Sequence, residues 1–349
     1  MNLRYPLFPA IRHDPSRLSL RLLLAATAVL ACASTAAAQD DAAAHPGVLK
    51  LEPGWSGGAP AWATPAVRAA AAAHARAISD AVRAAAAVAR PMGYDVTLRT
   101  GLGYPDERGP LRPVVSGFLF FYEPGDAGHL VRGEEGPTFG LEANRPLECA
   151  FRDLDDAFTE LPDGRRVYGA PVQAGTDHGY AVFDHPESGS CTLVTSITRP
   201  LWLPVSQRQV LNVLLGRFRA TRDEARRQLA AHPNAQAAAA LLPTLEAQVQ
   251  GMEAEMASLT PAELDGPAYL SSSTERPSRL TSQPGPDAVA LVTPNPAYLD
   301  ASAPLDRVQA LSVAVQMSPR YRFYSERRAA AFQAIHDGLD WAALQALVR

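Results

Sequence analysis

The chain has 349 residues, 47% of them apolar and 19% charged, with 32 basic and 36 acidic side chains and a formal charge of −4. That apolar share excludes an intrinsically disordered chain and supplies one large core or two ordinary ones. The acidic balance speaks against a nucleic-acid partner, which needs a basic face.

Residues 1–38 read as an export signal. Arg4, Arg12, Arg17 and Arg21 form the basic region, and Leu22 to Ala33 form a 12-residue apolar run broken only by the hydroxyl of Thr27. Ala36-Ala37-Ala38 close the segment, and small side chains at Ala36 and Ala38 suit the shallow pockets of a signal peptidase, so cleavage is expected before Gln39. A bilayer takes about 20 apolar residues, so a retained anchor is the weaker reading. Cys32 opens another route: lipidation there would tether the chain to a membrane surface rather than span it. Leu30 is bulky where the lipidation box favours a small residue. Cleavage removes four arginines and Asp14, leaving 28 basic and 35 acidic residues and a charge of −7. That suits a soluble protein in the periplasm or secreted. Lys50 is the only lysine and alanine is abundant, a compositional bias that carries no functional weight.

Val48 to Leu51 is expected to be a short strand. Trp55 and Trp62 flank a glycine-rich loop; they seal a core edge or, less simply, offer a sugar-stacking platform. Thr64 caps and Pro65 starts an alanine-rich helix that should run to about Arg90, before Pro91 and Gly93. Strands are then expected over Tyr94–Thr100, Val114–Tyr122, Phe139–Glu142, Leu147–Arg152, Tyr180–Phe183 and Cys191–Ile197. Pro162-Asp163-Gly164 marks a hairpin turn. Strands following one another without helices imply antiparallel pairing. Cys149 and Cys191 survive signal removal, and outside the cytoplasm a disulfide between them is expected; two separately buried thiols are the alternative. Neither has a second ligand at a zinc-type spacing, so no metal is implied.

From Pro204 the pattern becomes helical. Ser206 and Gln209 form a capping box. Beyond the break at His232-Pro233-Asn234, Leu242, Leu245, Val249, Met252, Met256 and Leu259 repeat at three- and four-residue steps, a coiled-coil seam. Pro243 should start or kink this helix. The two helices form an antiparallel hairpin over 205–259, and the seam holds its arms together or meets a partner. Thr260 and Glu263 form another capping box. Residues 271–287 read as a flexible polar loop with no apolar face. Ala288–Thr293 and Val308–Met317 are expected strands. Helices follow over Glu326–His336 and after the cap Asp340, with Trp341, Leu344 and Leu347 on one face.

The polar groups that suggest chemistry are Asp177-His178 and Asp184-His185, because a histidine beside an acid can act as a base or a ligand. A straight strand between them puts the two histidines on opposite faces. Asp153-Leu154-Asp155-Asp156 lacks the spaced oxygen ligands and central glycine of a calcium loop. No metalloprotease helix, nucleophile elbow or phosphate loop occurs. The expectation is a single α+β domain over 39–349: an antiparallel or mixed sheet backed by helices, with the hairpin inserted between strands 94–199 and returning elements 288–349. The function expected is non-catalytic binding of a protein or small ligand, without a cofactor. The alternative is a secreted hydrolase with a site assembled from distant strands.

Overall fold

The computed structural model describes residues 41–348 apart from 57–58, 106–107, 126–128, 135, 152–153, 156, 186–188, 233 and 322–323. The export signal, Cys32 and the cleavage site lie outside the described residues. The first part of the chain supplies β1 (Leu49–Ser56), α1 (Pro65–Arg83), α2 (Ala86–Ala89), β2 (Tyr94–Gly103), β3 (Arg112–Pro124), β4 (Leu130–Arg132) and β5 (Thr138–Ala143). Then come α3 (Pro146–Ala150), β6 (Thr159–Glu160), β7 (Arg166–Gly169), β8 (Gln173–Asp177), β9 (Tyr180–His185) and β10 (Gly189–Thr195). The second part supplies β11 (Trp202–Pro204), α4 (Gln207–Ala231), α5 (Gln236–Ser258), α6 (Pro261–Asp265), β12 (Tyr269–Ser271), β13 (Leu280–Thr281) and β14 (Ala288–Pro294). It ends with β15 (Ala310–Ala314), α7 (Glu326–Asp337) and α8 (Trp341–Leu347).

The fold is α+β, as the strand and helix pattern implies. Nine strands form a mixed sheet in the order β1-β2-β3-β5-β15-β10-β9-β8, with β4 paired to the end of β3. β1 and β2 run parallel, and the other pairs are antiparallel. Alternation along β3 buries Val115, Leu119 and Phe121 on one face and half-exposes Val114, Ser116 and Phe118 on the other. The buried face packs on Ile78 and Val82 of α1, Phe332 and Ile335 of α7 and Leu344 of α8. Each wholly buried Leu or Ile there contributes about 1.5–3 kcal/mol.

Two expectations are corrected in this layer. The alanine-rich helix does not run to Arg90: Ala85 is extended, with ψ 121°. In an unbroken helix the Ala85 amide would donate to the Ala81 carbonyl; instead Asp340 N donates to Ala81 O, and Ala85 N turns to Val82 O. The C-terminal segment therefore ends the helix. The strand expected over Leu147–Arg152 gives way to a helix, because residues 146–150 form α3; Arg152 lies outside the described residues. Asn144 takes a left-handed φ of 58° that ends β5, and Pro146 occupies the first helical turn, where its missing N–H has no partner to lose.

Six strands make a second, antiparallel sheet in the order β13-β12-β14-β7-β6, with β11 on β14. Its outer face carries the hairpin α4–α5, where Val210, Leu211 and Leu215 meet Val249 and Met252. The capping box at Ser206 and Gln209 is complete. The seam is spent inside the hairpin: Leu245, Val249, Met252 and Leu259 are buried. Arg219–Glu253 and Arg226–Glu246 pair across the arms at 2.6 Å each. Pro243 lies within α5, which starts earlier, at Gln236.

The 271–287 stretch has an apolar anchor after all. Leu280 of β13 is fully buried, and Ser278 donates to the buried Glu255 of α5 at 2.6 Å. The two final strands also part company. β15 returns to the large sheet between β5 and β10, whereas β14 joins the second sheet. β14 is apolar on both faces, with Leu291 in the hairpin core and Val292 in the core between the sheets. A strand of that kind is stable only between two layers.

Candidate functional site

The second face of the large sheet is only partly covered. Leu193 of β10, Ser312 of β15, Glu142 of β5 and Val114 of β3 lie in one register row and share this face. On the β10 side the second sheet closes over it, with Tyr168 and Val292 clustered against Phe183 and Leu193 of the large sheet. Where that cover ends, a groove of about 410 Å³ remains over β3 and β5. Its floor carries Val114, Ser116, Phe118, Gly140 and Ser312, and one wall is α3 with Arg145, Glu148 and the Cys149–Cys191 bridge.

The disulfide expected from the sequence is present, with Cα atoms 5.3 Å apart and a separation of 42 positions along the chain. Closing such a loop contributes about 4 kcal/mol on the chain-entropy account. It fastens α3 to β10 and so fixes the groove wall.

Arg145 sits between two carboxylates. Its Nη1 lies 3.2 Å from Glu142 Oε2, and its Nη2 contacts Glu148. Burial pushes the Glu148 carboxyl above the usual carboxylate range, against the pull of Arg145, and Glu142 adds to the rise. Farther along the face, the Arg99 guanidinium stacks 4.6 Å from the Phe118 ring and Arg132 stacks 3.8 Å from Phe120. Both arginines are held by acids, Glu52 at 2.9 Å and Asp95 at 2.8 Å.

Gly140 keeps the floor clear. A Cβ there meets only Val115 O, at 3.9 Å, and its φ is not left-handed. Neither packing nor backbone geometry requires glycine at this point of a central strand. Gly117 differs: a Cβ there would sit 2.0 Å from the Phe139 ring.

Asp177 and His178 come together, but not with Asp184. His178 and Gly179, with φ 50° and 85°, form the turn between β8 and β9. His178 therefore belongs to neither strand face, and the alternation argument does not apply to it. Its ring stacks on Trp341 at 4.3 Å. Asp177 Oδ2 lies 2.8 Å from His336 Nε2, without the alignment of a hydrogen bond. His336 is 3% exposed, and Trp341 donates to its carbonyl at 3.2 Å. Asp184 lies four residues beyond Tyr180, the residue paired with Asp177, about 13 Å along the strand. It is exposed there. The His185 side chain lies outside the described residues, as do Asp153, Asp156 and the Trp55 side chain. Trp62 packs partly buried against Ala63, Ala71 and Leu102, sealing that core edge.

No family model, curated protein or solved structure matches this chain. Among the described residues, no group of three or more His, Cys, Asp or Glu side chains is placed to hold a metal ion. Among them too, no helix is long and apolar enough to cross a membrane.

His336 is the cluster member that sequence reasoning missed. Its signal was present, a histidine on the apolar face of a helix beside Phe332 and Ile335, but its partner lies far away in the chain. Arg145, Glu142 and Gly140 were missed too, because the groove arises from strand order.

Proposed function

We propose that the chain is exported and acts outside the cytoplasm as a non-catalytic binding protein, taking a small ligand in the groove over β3 and β5. The groove carries this reading. It is concave and mixes an aromatic ring with a few converging polar groups, the usual make-up of a ligand site. The bridge that fixes its wall is of a kind that persists in oxidising compartments. The hydrolase alternative leans on His178 and its neighbours. The Asp177–His178 pair is partly exposed, but the His178 ring is stacked on Trp341 at 4.3 Å and Asp177 is shared with the buried His336, an arrangement that ties both groups into the fold. The hairpin seam favours no external partner, since its central residues are buried within the hairpin.

Native mass spectrometry of the protein recovered from the exported fraction tests both halves. The expected mass begins at Gln39 and lacks two hydrogens for the disulfide. A small molecule retained by the wild type should be absent from Gly140→Val, whose new side chain rises into the groove. An intact Met1 with two reduced thiols at 149 and 191 overturns the export half. A ligand retained equally by Gly140→Val overturns the groove half.

A further inference from the structure

We infer that the groove takes a neutral sugar ring, an assignment that rests on the groove being the binding site. Charge is the first argument. The charged side chains that line the groove are Glu142, Arg145 and Glu148, and Arg145 touches both carboxylates. Both carboxylates are engaged by Arg145 and its guanidinium group by them, so neither sign is left unpaired to seize an ion, whereas a neutral ligand needs no free charge.

Geometry is the second argument. Carboxylate and guanidinium groups are planar forks with parallel acceptors or donors. Neighbouring hydroxyls on a sugar ring present donor and acceptor together and meet such forks pairwise. Glu142, Arg145 and Glu148 already hold one another, and the disulfide holds α3, so little side-chain freedom is lost on binding. Ser116 adds a hydroxyl to the floor. Phe118 supplies an apolar surface for the C–H face of a ring and is itself steadied by Arg99 at 4.6 Å. Gly140 leaves the space between the aromatic and charged ends open.

The test uses oxidised mature protein with cellobiose, maltose and chitobiose as neutral probes, and citrate and spermidine as charged ones. Binding is read by saturation-transfer NMR and calorimetry. At least one disaccharide should bind the wild type, with affinity reduced about ten-fold or more in Gly140→Val and in Arg145→Gln. Phe118→Leu is the substitute if either variant loses its melting transition. Citrate or spermidine binding that is abolished by Gly140→Val, with no disaccharide bound, overturns the sugar assignment and leaves the groove standing. Binding of none of the five probes also overturns the sugar assignment. Disaccharide binding indifferent to Gly140→Val overturns the groove as well.

Discussion

His336, buried in α7, sets its Nε2 2.8 Å from Oδ2 of Asp177 at the end of β8. The contact ties the β8–β9 turn to the C-terminal helices, and His178 of that turn adds a stack on Trp341 at 4.3 Å. Removing a large buried side chain leaves a cavity and an acid facing it. His336→Ala should therefore lose about 2–4 kcal/mol of unfolding free energy. Asp177→Ala, at a more exposed residue, should lose less. If the pair interacts energetically, the double variant should fall short of additivity by at least about 0.5 kcal/mol in urea unfolding. Losses that add within about 0.3 kcal/mol would reduce the contact to mere proximity.

The disulfide bears on both stability and binding. Cys149→Ser with Cys191→Ser should lower the unfolding free energy by about 3–4 kcal/mol. Reductant should do the same to the wild type and nothing further to the variant. α3 would then be held to the sheet by the packing of Ala150 and Phe151, the Ser312 bond to the Arg145 carbonyl and the Arg145–Glu142 pair, so the ligand retained by the groove should weaken with it. Unfolding curves with and without reductant check the first point, and native mass spectrometry checks the second.

What was legible in the sequence was local. Ser206 and Gln209 announce α4, the three- and four-residue spacing announces α5, and Pro162-Asp163-Gly164 announces the β6–β7 turn, because each rests on neighbours in the chain. The break at Ala85 could not be read, since residues 84–87 are all alanine and the deciding hydrogen bond comes from Asp340. α3 was hidden because Leu147 to Phe151 looks apolar enough for a strand. The telling residue was Pro146, which favours a first helical turn. The groove was least legible. It exists because β15 inserts between β5 and β10, and no short window records strand order. Phe139-Gly140-Leu141-Glu142 was readable as a strand, but not that its glycine marks an opening.

Asp287 provides a pH-dependent prediction. It accepts from the hydroxyls of Ser271, Ser272 and Ser273 and from the Ser273 amide. These bonds, Ser271 first, lower its carboxyl to about 2. A depressed carboxyl gives its full contribution above the unfolded value of about 3.9 and loses it as pH falls through the folded value. The tie at the base of the 272–287 loop should hold at neutral pH and slacken between about pH 4 and pH 2. The Ser273 amide resonance should titrate with a midpoint near 2. At neutral pH, Asp287→Ala should speed tryptic cleavage after Arg279, the bond after Arg276 being closed to trypsin by Pro277. Equal cleavage rates in the two proteins would mean that Leu280 and Glu255 alone hold the loop.

Gly117 and Gly140 allow the sharpest comparison, because they lie on neighbouring strands within one register step. Gly117 faces Phe139, and Gly140 faces Ser116. A methyl group at 117 would overlap the Phe139 ring at 2.0 Å. That ring packs edge-on against Phe332 at 6.1 Å, so it can yield only by disturbing the core under α7. Gly117→Ala should therefore lose about 1–3 kcal/mol, the usual range for overpacking. At 140 the same methyl enters open space with ordinary backbone geometry. Glycine within a strand costs about 0.5–1 kcal/mol relative to alanine, so Gly140→Ala should raise the melting temperature. Both variants add one methyl group to the same sheet and differ only in the face it enters. Opposite signs in thermal unfolding are the expected outcome. A stability loss at 140 matching that at 117 would mean the open face is filled, and the groove would lose its floor.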